Sequence, residues 1–140
     1  MRAPIRLALL LVAVAVAGCG GGSPSTPTPP GTRIIGLTGS LTFGSIVIGT
    51  FADQTFTISN SGNSPLTITS LSISVPPGPD GFTTTWASGT IPAAGSQAVT
   101  IRFRPTEVKS YGGTLTINGD QTSGTNTIGM TGTGVVSSGG

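Results

Sequence analysis

The side chains best suited to chemistry are few and far apart in this chain of 140 residues. There is no histidine, so the commonest general base, metal ligand and physiological-pH switch is missing. Cys19 is the single cysteine and has no internal disulfide partner. The four acids, Asp53, Asp80, Glu107 and Asp120, fall in or beside turns at scattered positions. A zinc site needs several ligands converging. Calcium wants about six to eight oxygens, against one acid each in the PPGPDG loop around Asp80 and the NGDQ loop around Asp120. Turn formation accounts for both aspartates. A glycosidase-like pair of carboxylates is a remote alternative that spacing alone leaves open. The expectation is a non-enzyme with no catalytic residue, no metal site and no cofactor.

Three residues are candidates for contact with a partner. Arg102 and Arg104 stand two apart in an alternating segment, on the face opposite Ile101 and Phe103. They read either as an anion- or partner-binding pair or as a solvated outer face whose charges oppose strand addition. Trp86, the only tryptophan, sits in irregular sequence beside Phe82. Exposed, it would be a stacking platform for a sugar or a hot spot for a protein; buried, it would cap one end of the fold. Tyr111 has a structural reading, its hydroxyl bonding to nearby backbone as in a tyrosine corner.

Cys19 gains meaning from what precedes it. Arg2 and Arg6 form a positive start and Leu7 to Ala17 an apolar run, the pattern of a signal peptide over residues 1–18. Val16-Ala17-Gly18-Cys19 resembles the bacterial lipobox. The resemblance implies cleavage before Cys19 and a diacylglycerol on its thiol, hence a covalent lipid as the membrane partner. Stable anchoring takes two or more chains. Gly20 is not the aspartate that favours inner-membrane retention in the Gram-negative pattern. The expected place is the cell envelope: the outer membrane where there are two membranes, otherwise the outer face of the cell membrane.

Residues 20–32, GGGSPSTPTPPGT, carry no apolar side chain that could pack a core. With Cys19 they read as a lipidated tether, residues 19–32, extended near 3.1 Å per residue and reaching on the order of 30–40 Å. Without the leader the cations Arg33, Arg102, Arg104 and Lys109 balance the four acids. The pI near 9.3 therefore belongs to the targeting segment. A neutral body lacks the phosphate-neutralising surface that nucleic-acid binding requires, so no nucleic acid is expected.

What must position these residues is a set of strands over residues 33–136, with a flexible tail at 137–140. Charged residues make up only 7%, but hydrophobic residues reach 36% and recur with a period of two, which argues for folded strands over disorder. Arg33 to Leu37 supplies an edge strand. Leu41 and Phe43, then Ile46 and Ile48, alternate with a break at Gly44; Phe56 and Ile58 alternate within Gln54 to Asn60. NSGNSP, residues 60–65, is a dense turn signal. From Leu66 to Val75 the parity slips between Ile68 and Leu71, predicting a β-bulge near Thr69-Ser70. Phe82 to Trp86 is a short strand and Ala87 to Gly95 a loop. Alternation resumes at Val99–Phe103, Leu115–Ile117 and Ile128–Met130, with Gln121 to Gly124 as a hairpin loop. About seven to eight short strands at such intervals predict an all-β, Ig-like antiparallel sandwich.

LTFGSIVIGTFADQTFTISNSGNSPLTITSLSI resembles the opening of the Ig-like domains of the abnormal-spindle/hydin class, also met in bacterial choice-of-anchor D proteins. IRFRPTEVKSYGGTLTI is similar to their second half and IGMTGTG to their closing strand. The glycine usual shortly after Pro-Thr is replaced by Glu107-Val108-Lys109. The resemblance covers Leu41 to Gly134 and implies the fold. With the lipobox it leads to a lipid-anchored envelope module with a non-catalytic binding or structural role, for an unidentified protein or glycan partner. The alternative is a carbohydrate-binding or surface-adhesion module using the Trp86 loop. An enzyme accessory subunit comes third.

Overall fold

The structure, a computed structural model, describes residues 20–22, 24–74 and 81–139. The leader, the lipobox residues Val16, Ala17 and Gly18, Cys19 and Asp80 lie outside the described residues. Ten strands and no helix are found among the described residues: β1 (Ile34–Thr38), β2 (Leu41–Val47), β3 (Ala52–Asn60), β4 (Leu66–Ser74), β5 (Phe82–Thr84), β6 (Gly89–Ile91), β7 (Ser96–Phe103), β8 (Ser110–Gly119), β9 (Ser123–Gly124) and β10 (Thr127–Val135). They form two five-stranded sheets, ordered β5-β7-β3-β1-β9 and β2-β10-β8-β4-β6. The architecture is the expected all-β, Ig-like sandwich.

The strand count exceeds the seven to eight expected because two short pieces, β6 and β9, lack a readable period. β6 lies in the stretch expected as loop. It forms because Ile91, 1% exposed, needs a buried place, and Leu66–Ile68 of β4 supply pairing partners. β9 sits in the expected hairpin loop and pairs parallel with β1 through Ile34 and Ile35. β1 and β2 are consecutive pieces that serve opposite sheets: β1 runs antiparallel to β3, while β2 runs parallel to β10. The predicted bulge is present, as a register shift between Ile68 and Ser70 where β4 pairs with β8. It turns Leu71 and Ile73 back onto the core.

The core follows from alternation. Phe56 and Ile58 of β3, Val99, Ile101 and Phe103 of β7, Leu115 and Ile117 of β8 and Met130 of β10 are buried between the sheets, each contributing roughly 1.5–3 kcal/mol by leaving water. Phe43, Phe82, Phe103 and Tyr111 form one aromatic cluster, with centroids 4.7–5.6 Å apart along its contacts. The Tyr111 hydroxyl accepts from the backbone N–H of Thr106 and Glu107 and donates to the Glu107 carbonyl, a corner of the kind read from the sequence. Burial raises the phenol's pKa, but these hydrogen bonds and nearby Lys109 outweigh it and leave it lowered.

The pairings give the sandwich two poles. The start of β1, the end of β3, the start of β7 and the end of β8 share one pole, where residues 32–33 enter. The end of β7, the start of β5, the start of β8 and the end of β10 share the other. Entry is firmly held: Thr32 N–H donates to Asn63 Oδ1 at 2.6 Å, Ser64 N–H to the Thr32 carbonyl, and Arg33 Nε to the Asp120 carbonyl at 2.7 Å.

Candidate functional site

The three partner-contact candidates differ in how much of each side chain is available. Trp86 follows β5 on the connection that carries the chain from one sheet to the other, at the open edge of both. It is half-buried against the core. Gly89 packs against the six-membered ring: a Cβ there would lie 2.8 Å from Cζ2. The indole thus fills the seam between the sheets, and at most part of it is open for a ligand.

Arg102 points outward from β7 and pairs across the sheet with Asp53 of β3, Nε to Oδ1 at 2.8 Å and Nη2 to Oδ2 at 2.9 Å. Its guanidinium also stacks on Phe51, 3.9 Å from the ring centroid. This hydrogen-bonded cation holds the Asp53 carboxyl below its ordinary range and is itself held charged. Arg104 lies one residue beyond the strand. Its backbone N–H donates to the Gly81 carbonyl at 2.6 Å, and its exposed side chain makes no ion pair among the described residues. Among the described residues the two arginines therefore have unlike roles, Arg102 committed to Asp53 and Arg104 without an ion pair.

The described acids do not converge. Glu107 pairs with Lys109 at 2.8 Å, which holds its carboxyl low. Asp120 lies at the opposite pole, accepting from Thr67 N–H at 2.8 Å. Among the described residues no group of three metal-ligating side chains, no cavity and no helix able to cross a membrane is found.

Sequence reasoning missed the exposed apolar residues. Phe51, Val108 and Val136 are 54%, 58% and 63% exposed, the large hydrophobic side chains left open among the described residues. All three stand at the pole opposite the entry of residues 32–33. Backbone bonds join their segments: Gly49 N–H to the Pro105 carbonyl, Ile48 N–H to Val135 and Gly134 N–H to Lys109. The one available signal was their position beside turns and strand ends, where alternation gives no reason for burial.

A family model for HYDIN/CFA65/VesB-like Ig-like domains matches residues 34–133. The chain belongs to this family. Among solved structures, the Ig-like domain is similar to the ASH/PapD-like domain 7 of human CEP192, at a TM-score of 0.62 and 16% identity, covering 85% of this chain and 96% of that one. It is also similar to part of a family 123 glycoside hydrolase from Clostridium perfringens (TM-score 0.56, 13% identity, 69% of this chain and 23% of that). Part of the VesB protease of Vibrio cholerae is similar too (TM-score 0.51, 15% identity, 71% of this chain and 31% of that). At these identities the likeness is one of fold. The Ig-like domain spans under a third of either enzyme. No curated protein sequence matches the chain.

Proposed function

We propose that this Ig-like domain is a non-catalytic binding or structural module, held in the cell envelope by lipid on Cys19. The observation that carries the reading is the placement of its ends. Thr32 and Arg33 are bonded into one pole, so an N-terminal tether grips the domain there and presents the opposite pole, with its exposed apolar residues and Arg104. The family supports the module reading, since its fold recurs in proteins as different as CEP192 and VesB and so carries no chemistry of its own. A glycan platform on Trp86 is the weaker reading, because the indole is spent largely on the seam between the sheets.

The lipid test compares the wild-type chain with Cys19→Ser in cells fed radiolabelled palmitate. Label and membrane fractionation that both disappear in the variant support the anchor; label retained by Cys19→Ser overturns it. Protease treatment of intact and permeabilised cells then separates two placements. Loss of the domain from intact cells puts it on the outside, and protection until permeabilisation puts it beneath an outer membrane.

A further inference from the structure

We propose that the pole bearing Phe51, Val108 and Val136 is a protein-docking tip, whose partner offers an apolar side chain flanked by a carboxylate. This deepens the reading of the domain as a binding module, and it does not depend on lipid at Cys19.

Three observations carry it. Among the described residues, large apolar side chains are exposed at one pole only, on three segments that backbone hydrogen bonds hold together, so their placement is fixed before binding. A preformed patch loses little freedom on binding, which favours affinity from a small area. Second, Arg102 is held by two hydrogen bonds to Asp53 and lies against Phe51, so this aromatic has a cation at its face and a fixed place. Aromatic and arginine anchors at the centre of a patch are what protein hot spots use.

Third, charge selects the partner. Asp53 and Glu107 are neutralised by Arg102 and Lys109, while Arg104, between them in sequence, is exposed without an ion pair among the described residues. An incoming carboxylate meets Arg104 without displacing a partner among the described residues, and an incoming cation is opposed by it. The same count disfavours an anionic lipid surface. Attraction to such a surface grows with the number of cations near it, and among the described residues of this pole two carboxylates leave a surplus of one.

The test uses the purified full chain carrying Cys19→Ser and a synthetic peptide array. Each peptide holds one Phe, Leu or Trp between pairs of Asp, Ser or Lys. Asp-flanked peptides should be retained best and Lys-flanked ones least. Phe51→Ser and Val108→Ser should each weaken Asp-flanked retention about tenfold, the scale of one hot-spot residue. Arg104→Glu should invert the preference towards Lys-flanked peptides. These side chains are exposed, so thermal melts of the variants should match wild type. Thr114→Lys, on the outer face of β8, should change nothing. Retention blind to the flanking charge or to Phe51→Ser overturns the proposal. Phe51-dependent binding to phosphatidylglycerol vesicles instead would assign the tip to lipid. A Phe51-dependent dimer in sedimentation would assign it to a second copy. Each leaves the palmitate result untouched, so failure of the tip and failure of the anchor are read separately.

Discussion

Asn60 shows how much one polar side chain can organise. It is 1% exposed. Its Oδ1 accepts from Ile34 N–H and Gly62 N–H, and its Nδ2 donates to the carbonyls of Ser64, Ile91 and Pro92. One amide thereby ties the entry of β1, the turn after β3 and the exit of β6. Asn60→Leu should cost about 3 kcal/mol, since each buried group left without a partner costs about 1–3 kcal/mol; urea denaturation would read it. A loss below about 1 kcal/mol would mean that the turn rearranges and water takes over these bonds. Gly132 is constrained sterically instead: a Cβ there would lie 2.5 Å from the Phe103 ring. Gly132→Ala should destabilise by roughly 1–3 kcal/mol through overpacking. The sequence marked Asn60 only as the end of a strand and the start of a turn, and Gly132 only as part of a closing strand. Nothing local distinguishes an asparagine facing water from one facing three carbonyls.

Among the elements, the edges carry the clearest physical logic. β2 is the outer strand of its sheet, and its ladder with β10 shifts register opposite Thr131–Thr133, beside Gly44 at φ +68°. A bulge twists an edge away from flat pairing. The Gln54 amide also donates to the Thr42 carbonyl, occupying an acceptor that a foreign strand would need. Two glycines separate backbone strain from crowding, because a Cβ would meet nothing within 4 Å at either Gly44 or Gly129. Gly44→Val should cost about 1–2 kcal/mol, as a left-handed residue with a Cβ does. Gly129→Thr, in mid-strand at ordinary φ, should gain up to about 1 kcal/mol from β-propensity. Equal effects in thermal melts would remove the strain argument. Alternation made the long strands legible, and the slip from Ile68 to Leu71 even disclosed the bulge in β4. β6 and β9 were illegible because two or three residues have no period, and long-range pairing creates them.

For the whole molecule, the absence of histidine was plain in the composition and has a consequence that the folded pairs sharpen. Asp53 and Glu107 both have lowered pKa values, from hydrogen bonds to Arg102 and Lys109. A group that is more acidic when folded binds protons less readily there than in the unfolded chain. Between its two pKa values the unfolded state takes up more protons, so stability rises with pH across that window and falls as acid is added. The window opens at the ordinary carboxylate value near 4 and extends below it. The urea midpoint should therefore be flat from about pH 5 to 8, where no histidine titrates, and decline below about pH 4. Both pairs are partly exposed at the surface, so the decline should be shallow and weaken further in about 1 M salt, where the screening length is near 3 Å. Replacing both cations, Arg102→Met with Lys109→Met, should flatten the acid limb by lowering the neutral plateau towards it. A step between pH 6 and 7 would instead demand a titrating group other than these two carboxylates, and would overturn the assignment of the pH response to them.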